Sequence, residues 1–220
     1  MFNRETQIKT VPFFADLAPE SISNIAAAAQ MRSIDKHEVI FREGDVADGM
    51  YLIQSGAVKV YVDDENGHEL TLFVENANGY FGEASLINDS VRTASVAALE
   101  ETLLLRIPKD AFLACLAKHP ELAMKIASLT TERLRRSTDL LRSLALENVY
   151  QRLTHKMMDM AVTTNDELAL PRRFSHQEFA NMIGASREMV GKILSDLSKG
   201  GYIETREGIV HIIKKLPNAW

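Results

Sequence analysis

The chain of 220 residues contains one cysteine, Cys115, and one tryptophan. A single thiol excludes an intrachain disulfide and an iron–sulfur cluster held by the cysteines of one chain. Cys115 stands in the apolar pattern Phe112-Leu113-Ala114-Cys115-Leu116, which predicts a small buried residue. No apolar run approaches the roughly 18 residues of a membrane span. Residues 1–10 lack the apolar segment of a secretion signal. A cytoplasmic protein without a membrane partner is expected. The sequence also shows no nucleophile–base constellation, no metal-ligand cluster and no Walker-type loop, so neither an enzyme nor a metalloprotein is expected.

A surplus of positive charge is missing as well. The net charge is −5, which taken alone argues against a nucleic-acid partner. The charge is unevenly spread. From Glu147 onward there are ten Lys/Arg and nine Asp/Glu, a net of +1, against −6 for the residues before it. A near-neutral domain binds DNA if its cations share one face.

What is present begins with helical spacing. Residues 12–30 predict short helices, with Pro19 at an early helical position and Ile22, Ile25, Ala26 and Ala29 on one side. From Met31 to about Pro108 the period changes to that of strands. Ala57-Val58-Lys59-Val60-Tyr61-Val62 alternates, and Asn66-Gly67 centres a polar hairpin before Leu70-Thr71-Leu72-Phe73-Val74. Many short strands between glycine turns predict a β-barrel or jelly roll. Asp110 is expected to cap a short helix through Lys118. A long helix from about Pro120 to Leu146 should follow. Ala127, Thr130, Leu134, Ser137, Leu141 and Leu144 step along it by three and four, the seam of a parallel helix pair and hence of a homodimer. Ser137 falls in that seam with Thr138 beside it. A leucine would stabilise the pair better, so the hydroxyl invites either a ligand or a register-setting role.

One stretch carries ligand chemistry. Gly79-Tyr80-Phe81-Gly82-Glu83-Ala84-Ser85-Leu86-Ile87 leads through a polar turn to Val91-Arg92-Thr93-Ala94. Gly82 permits close backbone approach. The turn after it, at Ala84 and Ser85, can aim N–H groups at an anion. Arg92 offers a planar fork for phosphate, and Glu83 can accept a ribose hydroxyl.

A second stretch carries nucleic-acid chemistry. Asn148 is placed to cap a helix to about Ala161. Residues 163–167 are expected as a loop and 168–174 as a strand or hairpin arm. Ser175-His176-Gln177-Glu178 is a capping box, Gly184 ends its helix, and Ser186 caps a second one running to about Lys199. Two short helices across a glycine turn form a helix-turn-helix pattern. Arg187, Glu188, Lys192 and Ser195 share the outer face of the second helix. Arg can read guanine, Glu can accept from cytosine N4, and Lys can reach guanine or phosphate. Ser175, His176 and Gln177 are placed for backbone phosphates. Residues 200–204 and 208–213 predict a wing hairpin.

The first stretch resembles the phosphate-binding cassette of cyclic-nucleotide-binding domains. The second resembles the helix-turn-helix of the CRP/FNR family of bacterial transcription regulators, and Ser186-Arg187-Glu188-Met189-Val190-Gly191-Lys192-Ile193-Leu194 is similar to the recognition helix of cyclic-AMP receptor proteins. Lys192 departs from the arginine familiar there. Lysine cannot form a bidentate fork, so base preference at that position is relaxed. The resemblance spans nearly the whole chain. It implies an α+β protein with a cyclic-nucleotide-binding β-roll over residues 1–118, a dimerisation helix over 119–146, and a winged helix-turn-helix over 147–220.

The resemblance further implies a cyclic nucleotide held by Gly82, Glu83, Ala84, Ser85, Arg92 and Thr93. The base would rest on Ser137 of one subunit and Thr138 of the other. Cyclic AMP is the expected effector because both hydroxyls are present. Cyclic GMP is second, since Thr93 can accept from a guanine amino group, and cyclic di-GMP or no effector follow. A regulatory subunit without DNA binding is the alternative of another class. Contacts implied with Ser175, His176, Gln177, Ser186, Arg187, Glu188, Lys192 and Ser195 place a homodimer on palindromic double-stranded DNA. Residues 63–65 and 162–167 lie where relatives touch RNA polymerase.

Overall fold

A computed structural model describes residues 3–164 and 167–217 of the chain. Asn165 and Asp166, inside the segment expected as a loop, lie outside the described residues. By its internal contacts the chain divides into two compact units: residues 1–63 with 72–135, and residues 64–71 with 136–220.

The first unit begins with α1 (Arg4–Thr10), capped by Asn3, and α2 (Pro19–Ala28). Helix therefore starts earlier than the apolar spacing after residue 12 suggested. Asn3 supplies the start signal, accepting from the Glu5 N–H at 3.0 Å. The strands are β1 (Gln30–Ile34), β2 (Val39–Phe41), β3 (Gly49–Ser55), β4 (Ala57–Asp63), β5 (Glu69–Asn76), β6 (Tyr80–Phe81), β7 (Ser95–Ala98) and β8 (Thr102–Pro108). They form two sheets, ordered β1–β8–β3–β6 and β2–β7–β4–β5. The sheets share one core, with Ile34, Ile53, Phe81 and Leu104 from the first and Val58, Val60 and Val96 from the second. This is the β-roll. β3 and β7 are buried along most of their length, since they pack on both faces, and the core takes Val58 and Val60 from alternate positions of β4.

Helices close one side of the roll. Phe14, Ile22 and Ile25 pack with Met50 and Leu52 of β3, Leu105 of β8, Phe112 of α4 (Lys109–Lys118) and Leu122 of α5 (Glu121–Leu146). Cys115 is buried among them, as its apolar setting predicted, and burial pushes its thiol pKa up. Asp110 does not cap α4. The N-cap position is Pro108, and Asp110 lies in the first turn, where a carboxylate still favours the helix dipole. Along α5, Leu134 and Leu141 are about two-thirds exposed, so the predicted seam faces outward.

The second unit contains α6 (Val149–Met160), β9 (Val162–Thr164), β10 (Glu167–Ala169), α7 (His176–Ile183), α8 (Arg187–Lys199), β11 (Ile203–Arg206) and β12 (Ile209–Ile212). Its sheet runs β11–β12–β10–β9. The segment expected as a loop from Thr163 thus begins and ends in paired strands, and the strand expected over 168–174 stops at Ala169 before Pro171. Tyr150, Leu153, Met157, Phe179, Ile183, Val190, Leu194 and Leu197 make one core. The local signals act as anticipated. Asn148 and Gln151 form a reciprocal capping box, as do Ser175 and Glu178, and Ser186 accepts from the Met189 N–H. Gly184 ends α7 at φ 61°. Arg152 of α6 donates to the Leu144 and Glu147 carbonyls at the end of α5 and to the Gly184 carbonyl in the turn between α7 and α8.

The Asn148 side chain accepts from the Gln151 N–H at 2.9 Å, so Asn148→Ala should cost about 1 kcal/mol. Urea unfolding measures this. An unchanged midpoint would remove the cap as a determinant of the junction.

Candidate functional site

The cassette is built on β6, the turn after it and the approach to β7. Gly82 sits at φ 86°, a conformation open to glycine. A Cβ there would lie 2.9 Å from Arg92 Nη1 and 3.4 Å from the Gly49 carbonyl oxygen, so the close approach also requires glycine. Glu83 begins the single-turn helix α3 (Ala84–Ile87). Leu86 and Ile87 donate to the Glu83 carbonyl. The N–H groups of Ala84 and Ser85 are among the first of that turn, which leaves them without an intrahelical acceptor.

Arg92 is buried, with 1% of its surface exposed. Its Nη1 donates to the Gly82 carbonyl and its Nη2 to the Gly49 carbonyl, each at 2.6 Å, and Nη2 also reaches Asp48 at 3.3 Å. The guanidinium lies 4.1 Å from the Phe41 ring centroid, a cation–π contact. Burial lowers the Arg92 pKa, and Tyr51, Asp48 and Glu83 oppose that shift. Three of its five N–H donors are thus engaged, and Nε has no partner among the described residues.

Glu83 is also 1% exposed. Its Oε1 accepts from Arg133 Nη1 at 2.5 Å, whereas its Oε2 is buried without a partner. Arg133, on α5, donates to the Tyr80 carbonyl at 3.0 Å, lies 3.6 Å from Glu75 and sits 5.0 Å from the Phe73 ring centroid. Burial, with Glu83 beside it, pushes the Tyr80 phenol pKa up.

Sequence reasoning missed Arg133 and Asp48. A signal for Arg133 existed. Leu122 and Ile126 are buried and Leu129 half-buried, and Arg133 continues their spacing of four, three and four. A cation on an inward stripe calls for a buried carboxylate. Of the predicted ligand residues, Gly82, Glu83, Ser85 and Arg92 come together at the cassette, with Ala84 and Thr93 exposed beside it. Ser137 and Thr138 are exposed on α5.

The second candidate surface is the outer face of α8. Arg187, Glu188, Lys192 and Ser195 are exposed on it, and Val190, Leu194 and Leu197 are buried. The Glu188 pKa is lowered by its own N–H in the first helical turn and by Ser186, so it stays an ionised acceptor. Ser175, His176 and Gln177 are exposed at the start of α7. The Ser175 and Ser186 hydroxyls accept from helix N–H groups. His176 is set by Gly191 of α8, where a Cβ would lie 3.0 Å from His176 Nδ1. Among the described residues no helix is long and apolar enough to cross a membrane.

Comparison with known proteins matches this division of chemistry. Residues 31–119 match the cyclic nucleotide-binding domain family, and residues 151–216 match the Crp-like helix-turn-helix domain family. The cyclic AMP receptor protein of Thermus thermophilus is 30% identical over 205 residues, 93% of this chain and 94% of that protein. The CRP-like cAMP-activated global transcriptional regulator of Mycobacterium tuberculosis is 28% identical over 194 residues, 86% of this chain and 87% of that one. In fold, the chain resembles the c-di-GMP responsive global regulator of Xanthomonas campestris with a TM-score of 0.78 at 24% identity, covering 90% of this chain and 100% of that one.

Arg92→Ala would strip the Gly49 and Gly82 carbonyls of their donor. Each unsatisfied buried acceptor costs roughly 1–3 kcal/mol, so unfolding should show a loss of about 2 kcal/mol or more with no ligand present. A wild-type unfolding midpoint would mean the guanidinium has no structural role.

Proposed function

The chain belongs to the CRP/FNR family of transcription regulators, and from that premise we propose that it is a homodimer whose DNA binding is controlled by cyclic AMP. It is a DNA-binding regulator with a cyclic-nucleotide-binding domain, not an enzyme. The observation that carries the effector reading is the pair of orphaned polar atoms in the cassette, Glu83 Oε2 and Arg92 Nε. A buried oxygen or N–H without a partner costs stability unless a ligand completes it. A ribose hydroxyl donating to Glu83 and a phosphate accepting from Arg92 and the first amides of α3 supply what both lack.

Arg133 extends the same site to α5. It already holds one oxygen of Glu83, so a ribose on the other oxygen shares a carboxylate with the dimerisation helix. The exposed stripe of Thr130, Leu134, Ser137 and Leu141 supports pairing of two α5 helices. Such pairing would bring Ser137 of one chain and Thr138 of the other to the base. Two α8 helices would then face half-sites of palindromic DNA about 34 Å apart. Ligand control follows if the nucleotide has different affinities for two arrangements of the helix pair. Contacts of the complex with RNA polymerase belong to the same reading, with residues 63–65 and 162–167 as the candidate surfaces.

Calorimetric titration with cyclic AMP and then cyclic GMP tests the effector. Saturable binding of cyclic AMP, one per chain, is expected, and Glu83→Gln should weaken it at least tenfold, about 1.4 kcal/mol. Preference for cyclic GMP would move recognition to Thr93, and binding of neither would leave only the DNA-binding function. On DNA, Arg187→Ala should cost about 1–3 kcal/mol of site discrimination in a mobility-shift assay. An equal loss on random DNA would make Arg187 a phosphate contact.

A further inference from the structure

The fold brings together three residues that the sequence separates. The Ser21 hydroxyl, in the first turn of α2, lies 2.6 Å from His119 Nε2 across a separation of 98 residues. His119 Nδ1 lies 3.0 Å from Glu121 Oε1 at the start of α5. The proton positions follow from charge. Glu121 is held below the usual carboxylate range by its own N–H and by His119, so it is ionised near neutrality and can only accept. Nδ1 must therefore carry the imidazole proton and donate it. In the neutral imidazole Nε2 then presents its lone pair to the Ser21 O–H. A serine hydroxyl bonded to the free lone pair of an imidazole oriented by a carboxylate is the geometry of an activated nucleophile.

The group opens onto a cleft of about 290 Å³ lined by Ser21, Asn24, Ala114, Cys115, Lys118 and His119. Its polar groups suit an acyl donor. Asn24 offers an amide N–H for a developing oxyanion, and Lys118 offers a cation for an anionic leaving group. Cys115 is a poor competitor, because burial raises its thiol pKa and keeps it protonated. The contact joins residues 98 positions apart, so it forms only in the fold.

We propose that Ser21 is a modification site that takes a small acyl group from an activated donor with an anionic leaving group, with His119 as general base and Glu121 as its positioning residue. The Ser21 oxygen attacks the acyl carbon as its proton passes to His119 Nε2. The bond from that carbon to the leaving group breaks, and the leaving group departs with the electron pair. His119 then releases its proton to solvent. The product is an ester on Ser21, formed once per chain. It removes the hydroxyl proton that His119 accepted and so cuts the tie between α2 and the start of α5.

The full-length chain treated with p-nitrophenyl acetate should release one nitrophenolate per chain in a burst and then stop. Peptide mass mapping of the unmutated protein should place the acetyl group on Ser21. Ser21→Ala should abolish the burst, and His119→Gln should slow it roughly 100-fold, the low end of general-base contributions. Glu121→Gln should slow it less. A fluorophosphonate should label the same serine. Acetylation confined to lysines, or a burst of the same rate in Ser21→Ala or His119→Gln, would overturn the proposal. The wild-type mapping decides the matter even if a variant fails to fold.

Discussion

The buried guanidinium of Arg92 ties together separate segments of the first unit. It donates to the carbonyl of Gly49 at the start of β3 and to that of Gly82 after β6, and it rests on the ring of Phe41 from β2. Three separate chain segments thus converge on one cation. A charge with almost no exposure persists there because carbonyl dipoles, an aromatic face and Asp48 replace its water. The same saturation shapes its chemistry. With three donors committed to the protein, only a ligand seated against the remaining edge can use it. The position and direction of that edge are fixed by the protein itself, which would lower the cost of binding a ligand there.

Much of this molecule was legible in its sequence, and the legible parts share one physical property: they are local. The caps at Asn148, Ser175 and Ser186 and the left-handed Gly184 depend on residues within a few positions of each other. The alternation in β4 and the three–four steps of α5 depend on one element meeting one face. Spacing alone put Leu134 and Leu141 on one stripe of α5, as the seam of a helix pair, and in the single chain both are exposed.

The illegible parts are long-range. Arg133 meets Glu83 across 50 positions, Asp48 meets Arg92 across 44, and Ser21 meets His119 across 98. No local preference records such pairs. Helix boundaries also failed where an unexpected cap intervened, as at Asn3, or where a proline took the cap position from an acidic residue, as at Pro108. Gly82, Glu83 and Arg92 come together in the fold as their spacing suggested, but their protein partners were not foreseen. Sequence suggested Glu83 and Arg92 as open acceptor and donor, whereas each already has protein partners and only one edge to offer.

Arg152 has a mechanical consequence. One rigid, planar group joins the last carbonyls of α5 to the carbonyl of Gly184, where α7 hands over to α8. The link is short and crosses no loop. Twist at the end of the long helix would therefore reach the turn ahead of α8 with little slack, as through a gear tooth rather than a spring. A lysine at that position would reach one carbonyl at a time, and the same helix motion would be lost as play.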